Sequence, residues 1–212
     1  KETYYKWTRM TLTIVYDDEG EIISAVGVSE DAAQEVALQE KASRDVLTKL
    51  LNRESLRLEV EDYLRTRKEE NSSMLSAIFM IDVDDFKHVN DAYGHKRGDN
   101  ILIHAANSIK RSFRSEDIVA RLGGDEFIVF MKNAQSAEVT ISRAELLLEN
   151  LTRTYSDLTV TCSIGIYLVP QDTMDFDDLY EKADITMYEA KSRGKSQFVL
   201  RENSHEYFNK QS

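Results

Sequence analysis

The apolar positions of this chain change period several times, and each change predicts an element. In ESLRLEVEDYLRTR (54–67), Leu56, Val60, Tyr63 and Leu64 recur at helical spacing and predict an amphipathic helix. MLSAIFMIDV (74–83) is instead one continuous apolar run of strand length, the pattern of a strand covered on both faces. Gly98 and Asp99 then precede NILIHAANSIKRSF, a predicted helix with Asp99 in the N-cap position. DIVARL and EFIVFM are predicted strands on either side of a glycine pair. Residues 136–152 predict a helix with Ile141, Ala144, Leu148 and Leu151 inward. LTVTCSIGIYLV reads as one further strand. FDDLYEKADITMYEAKSRG reads as a helix with Leu179, Ala183, Met187 and Ala190 in line, and SQFVL as a short closing strand. Helices and strands alternate around one hairpin, which implies an α/β (α+β) fold: a central mixed β-sheet flanked by helices.

The first 45 residues follow a different pattern. Residues 3–16 and 21–28 predict two strands around the turn-forming DDEG. A lone hairpin is marginal in water, so this piece is expected to belong to a larger sheet. Residues 30–45 predict a charged helix with few apolar positions, short of the roughly three to four heptads that define a coiled coil. It reads equally as a signalling linker or a solvated connector.

Composition narrows the classes. The chain has 212 residues, 42% apolar and 31% charged, enough for one domain with its own core plus an appendage. A net charge of −11 argues against gripping a DNA or RNA backbone, which favours a basic face. It leaves room for a nucleotide ligand, because metal ions bridge carboxylates to phosphates. The single cysteine, Cys162, rules out an intrachain disulfide and fits a reducing, cytoplasmic setting. No apolar stretch reaches the length of a membrane span. The chain opens KETYYKW without an initiator methionine, as expected of a piece of a longer protein whose upstream part could carry an anchor.

Three groups of residues carry candidate chemistry. Asp82 ends the long apolar run, and period-two alternation puts Asp82 and Asp84 on one face. Such acids either solvate a strand end or hold a metal, since an unpartnered buried carboxylate is costly. Gly123 and Gly124 mark a tight turn needing positive φ, or a place where a ligand comes close; Asp125 and Glu126 sit on the same turn. Should that hairpin lie beside the strand ending at Asp82, three carboxylates converge, and hard oxygen ligands suit Mg²⁺ or Mn²⁺. Lys191 and Lys195 bracket Gly194 near the end of the last helix, where they favour the helix dipole or contact phosphates. Lys87, Asn90, His95 and Asp99 lie in FKHVNDAYGHKRGD. Asn90 and Asp99 combine donors and acceptors suited to a guanine edge. His95 alone reads as a surface or structural histidine.

Taken in order, the blocks DVLTKLLNR, IDVDDFKHVNDAYGHKRGDNIL, RLGGDEF, SIG and ADITMYEAKSRGKSQF, spread over residues 45–200, resemble the GGDEF family of diguanylate cyclases. The resemblance implies a fold similar to the polymerase palm and nucleotidyl cyclases, with the GGDEF letters on a β-hairpin. By position it implies Asp82, the Val83 carbonyl, Asp125 and Glu126 as ligands of Mg²⁺ or Mn²⁺, two per site, with Asp82, Asp125 and Glu126 the catalytic acids. It implies GTP contacts at Phe86, Lys87, Asn90, His95, Asp99, Gly123, Gly124, Lys191 and Lys195, with the backbone N–H groups of residues 85–87 facing the triphosphate.

The implied reaction joins two GTP into cyclic di-GMP with release of two pyrophosphates. One domain holds one GTP, so an antiparallel homodimer is implied. RSED, Arg114 to Asp117, stands where family members with product inhibition carry an R-x-x-D site. The N-terminal hairpin resembles the last strands of a PAS sensory domain. The expected organisation is 1–29 PAS-like fragment, 30–44 linker helix, 45–203 GGDEF domain and 204–212 tail. Some positions depart from the family pattern: Lys49 where glycine is frequent, Lys195 where arginine is common and Ser196 where asparagine is. The rival implied by the same fold is a catalytically silent module that binds GTP or cyclic di-GMP. An adenine-containing product is disfavoured by Asp99, whose carboxylate would face adenine without matching donors.

Overall fold

The computed structural model describes residues 7–69, 74–154, 158–170, 175–202 and 205–208. Residues 3–6 of the first expected strand, and 204 and 209–212 of the expected tail, lie outside them. The chain divides into two compact units, Lys1–Arg44 and Asp45–Ser212.

In the first unit, β1 (Thr8–Tyr16) and β2 (Ile22–Asp31) form an antiparallel hairpin, followed by helix α1 (Ala33–Ala42). The turn forms because Asp17 Oδ1 accepts from the backbone N–H of Glu19 and Glu21 while Gly20 takes φ +88°. Met10, Leu12, Ile14 and Tyr16 alternate on one face of β1 and are exposed, as are Val26 and Val28 on β2.

The second unit is built on a six-stranded mixed sheet. Its elements are α2 (Arg53–Glu69), β3 (Leu75–Val83), α3 (Phe86–Tyr93), α4 (His95–Ser112), β4 (Ile118–Gly123), β5 (Glu126–Ala134), α5 (Ala137–Leu151), β6 (Arg153–Thr154), β7 (Thr159–Val160), β8 (Cys162–Val169), α6 (Phe176–Ser192), β9 (Phe198–Glu202) and β10 (His205–Phe208). The strand order is β10-β9-β8-β3-β5-β4, with β8 and β9 parallel and the other pairs antiparallel. The central position of β3 explains its unbroken apolar run. Ala77, Phe79, Ile81 and Val83 face one core with α4 and α5, whereas Ile78 and Met80 face a second core with α2 and α6. Each fully buried aliphatic or aromatic side chain contributes about 1.5–3 kcal/mol relative to exposure.

Three expectations change. Helix α4 begins at His95 with Gly94 as its N-cap, so Asp99 lies inside the helix rather than capping it. The run 158–169 is two strands, not one: β7 leaves the main sheet to pair with β6, and β8 starts afresh at Cys162. Part of the expected tail, His205–Phe208, is an edge strand on β9. No helix among the described residues is long and apolar enough to cross a membrane.

Helix α6 owes its close seat on β8 to Gly165. A Cβ there would overlap the backbone nitrogen of Met187 and stand 2.5 Å from Ala183 O and 2.6 Å from Met187 Cα.

Candidate active site

The glycine–acid turn closes the β4–β5 hairpin, and β5 is the direct neighbour of β3. Asp82 therefore stands opposite Glu126, and the Val83 N–H donates to Asp125 O at 3.2 Å. Gly123 and Gly124 have φ of +142° and +54°, so the turn needs glycine for backbone reasons. A Cβ at either would meet nothing within 4 Å, so space is open there as well. The backbone reading of the glycine pair holds, and the open space leaves room for a ligand to come close.

Asp82 is 5% exposed and pairs with Lys191 Nζ at 2.7 Å, reaching across from the last turn of α6. Burial outweighs the lysine and, with Asp125 and Glu126 close by, lifts the Asp82 carboxyl to about 6. Glu126 is also raised, first by burial and then by the charges of Asp125 and Asp184. These acids are thus uncomfortable as a bare set of anions, which is the condition a divalent cation relieves. The donors available (carboxylates and the Val83 carbonyl at the end of β3) are hard oxygens that fit such an ion. Among the described residues no three acids, histidines or cysteines are gathered as a ready-made ligand cluster. The convergence expected from the sequence is one of backbone register, with the Asp82 oxygen turned to Lys191.

Asp84, on the same side of the strand end, has a different role. It is 6% exposed and accepts from Ser163 Oγ at 2.6 Å, Thr161 Oγ1 at 2.7 Å and Ser196 N at 3.1 Å. These contacts tie β3 to β8 and to the loop after α6. That loop is backbone-strained: Gly194, Lys195 and Ser196 have φ of +118°, +61° and +49°. Lys195 lies exposed and pairs with Asp85 Oδ1 at 2.7 Å, beside the start of α3. Asp85 itself is in the left-handed region and gives α3 no side-chain cap. Phe86 is buried and Lys87 exposed on the first turn of α3. Asn90 is partly buried on the same helix, while His95 and Asp99 are exposed on the first turns of α4, which packs against α3.

Arg121 is a residue the motif reading passed over. Its guanidinium donates to Gly124 O from Nε (3.2 Å) and Nη2 (2.7 Å), and to Asp45 Oδ1 from Nη1 (3.0 Å). Asp45 also accepts from Thr48 N and Thr48 Oγ1. Burial pushes the Asp45 carboxyl up, but the Thr48 and Arg121 bonds outweigh it and hold it below its ordinary value. The segment 45–51 is further stitched to β4 by Leu51 N to Val119 O and Arg121 N to Leu51 O. In this segment Lys49 takes φ +62°, which is why a glycine would be at ease there. A position just before the glycine pair was the available signal for Arg121.

Arg114 and Asp117 lie on the loop into β4. Asp117 is 9% exposed, with Oδ2 accepting from Arg114 N and Oδ1 from Lys132 N, both at 2.9 Å. Arg114 is half-exposed and pairs loosely with Glu116 at 3.8 Å.

The family profile for the diguanylate cyclase GGDEF domain matches residues 42–197. The chain belongs to the GGDEF family. Its relatives include the bifunctional diguanylate cyclase/cyclic di-GMP phosphodiesterase MucR of Pseudomonas aeruginosa, 36% identical over 77% of this chain and 24% of that protein. Diguanylate cyclase DgcS of Shewanella oneidensis is 34% identical over 79% of this chain and 55% of that protein. The GGDEF chain thus spans between a quarter and just over half the length of these relatives. Among solved structures, the isolated GGDEF domain of Pseudomonas aeruginosa TpbB (YfiN) superposes with a TM-score of 0.67 at 32% identity, covering 75% of this chain and 93% of that one. The mixed sheet flanked by helices is accordingly that of a GGDEF domain.

Proposed function

We propose that this GGDEF domain is a diguanylate cyclase. It condenses two GTP into cyclic di-GMP, each 3′-hydroxyl oxygen bonding to the α-phosphorus of the other GTP as pyrophosphate leaves. The observation that carries the reading is the register that sets the GGDEF turn against the end of β3, with Asp82 opposite Glu126 and Lys191 reaching in from α6. Named cyclases among the relatives support it.

Magnesium or manganese, two per site, would be held by Asp82, the Val83 carbonyl, Asp125 and Glu126, and when bound would acidify the 3′-hydroxyl and neutralise the leaving pyrophosphate. The remaining roles belong to the chain. Gly123 and Gly124 leave room for the α-phosphate. Phe86 and Lys87 present N–H groups at the start of α3, whose N-cap side chain makes no competing bond. Lys87, Lys191 and Lys195 attract the phosphates, Lys191 exchanging its contact with Asp82 for one with the nucleotide. Asn90 and Asp99 read the guanine edge, and His95 is an associated substrate contact.

Because one domain holds one GTP, two copies act face to face. Residues 1–29 serve as the end of a PAS-like sensory domain. Residues 30–44 act as the linker, 45–203 as the catalytic domain and 204–212 as its tail. The domain works in the cytoplasm. Product feeds back at Arg114 and Asp117, with the half-exposed arginine facing the ligand and Asp117 shaping the loop, since both its oxygens already accept backbone N–H groups.

The test is turnover. Purified protein with GTP and Mg²⁺ should release pyrophosphate and form cyclic di-GMP, with specific activity rising as protein concentration drives pairing. Asp125→Ala should abolish turnover. GTP binding without product at high protein concentration would establish the silent regulatory module instead.

A further inference from the structure

Gly98 lies inside α4, one residue before Asp99. It is not among the glycines with positive φ, so its backbone would accept any residue. A glycine inside a helix is destabilising relative to alanine. What the position lacks is space. A Cβ on Gly98 would fall within the van der Waals sphere of Asn90 Oδ1, and would stand 3.0 Å from Asn90 Cγ and 3.1 Å from Phe86 Cζ. Asn90 and Phe86 are four residues apart on α3, so they share the face that α4 approaches. Gly98 is buried and Asn90 partly buried, so the carboxamide rests in the notch that the missing side chain leaves.

We propose that Gly98 is a positioning residue for nucleobase recognition: its bare backbone is the seat that fixes the Asn90 carboxamide beside Asp99. This rests on the reading of Asn90 as a base contact in the proposed function. The nature of the clash gives the proposal its sign. The atom met first is the end of a flexible side chain, which can rotate away, while Phe86 has to give by only a few tenths of an ångström. Alanine at 98 therefore leaves the domain folded and displaces the group that recognises the base. Gly165 is the opposite case, because its neighbours are helix backbone.

The experiment is a double-variant cycle with GTP and Mg²⁺, comparing wild type, Gly98→Ala, Asn90→Ala and the two together. Gly98→Ala should raise KM for GTP on the order of tenfold, about one lost hydrogen bond, with kcat at saturation nearly kept. The double variant should be no worse than Asn90→Ala alone, since both changes remove the same contact. Multiplying effects, or an unchanged KM, would overturn the proposal. A second reading does not depend on turnover. The Asn90 side-chain amide resonances, identified by their loss in Asn90→Ala, should shift in Gly98→Ala while backbone signals in β8 and α6 stay in place. Unmoved amide resonances would overturn the seat itself. An inactive wild type with shifted resonances would instead sink the functional reading and the recognition role built on it.

Discussion

Replacing Asp82 with asparagine should make the metal-free protein more stable at neutral pH while removing its activity. Burial, reinforced by Asp125 and Glu126, overrides the Lys191 ammonium and holds the Asp82 carboxyl at about 6, against an ordinary 3.8. The folded protein therefore binds this proton more tightly than the unfolded chain does. Stability falls as pH rises between the two values, and the full penalty stands above about 6. At about 1.36 kcal/mol per pH unit, the gap is worth at most about 3 kcal/mol. Asparagine keeps an acceptor for Lys191 and cannot ionise, so it carries no such penalty. For a domain of this size each kcal/mol moves the midpoint by about 2–4 °C, and Asp82→Asn should melt above wild type at pH 8, by at most roughly 6–12 °C. The assay is thermal unfolding by circular dichroism in EDTA, from pH 4 to pH 8. The difference should shrink towards pH 4, where the folded state holds the proton and the unfolded chain is close to its own midpoint. A wild type that melts as high as the variant at pH 8, or a difference that ignores pH, would refute the reasoning.

Two further outcomes follow from neighbouring geometry. Arg121→Ala should cut turnover at least about tenfold and lower the melting temperature, because charge-assisted bonds to Gly124 O and Asp45 are each worth about 1.5–3 kcal/mol. Arg121→Lys should rescue little, since an ammonium cannot make the fork. Gly165→Ala should cost at least about 1–3 kcal/mol in chemical denaturation, because the new methyl meets the Met187 backbone and α6 has to lift from β8; a stability equal to that of Gly98→Ala would contradict the contrast drawn between the two glycines.

The periodicities of α2, α5, α6 and β3 were legible because each buries a regular stripe or both faces against the sheet. The start of α4 was misplaced because Asp99 has the chemistry of an N-cap, while the chain already turns at Gly94, whose φ of +80° suits glycine. The break at Thr161 inside one apolar run was hidden because β7 and β8 have the same composition and differ only in their partners. Acidic residues near the end of β3 looked alike in sequence. Hydrogen bonds from residues 77 or more positions away make Asp84 a structural tie, whereas Asp82 faces Lys191 and two other acids.

By itself the sequence determined the residue types at each motif, the order of the elements and the family whose motifs they spell. Those are local properties, carried by side-chain chemistry and by periods of two and 3.6 residues. Only the tertiary structure decided that Asp84 is held by hydroxyl and backbone donors while Asp82 faces a lysine and other acids, that Arg121 joins the glycine turn to Asp45, and that Asn90 fills the space a side chain at 98 would need. Each of these depends on atoms brought together across the chain or across a helix pair, and distance along the sequence carries no record of that approach.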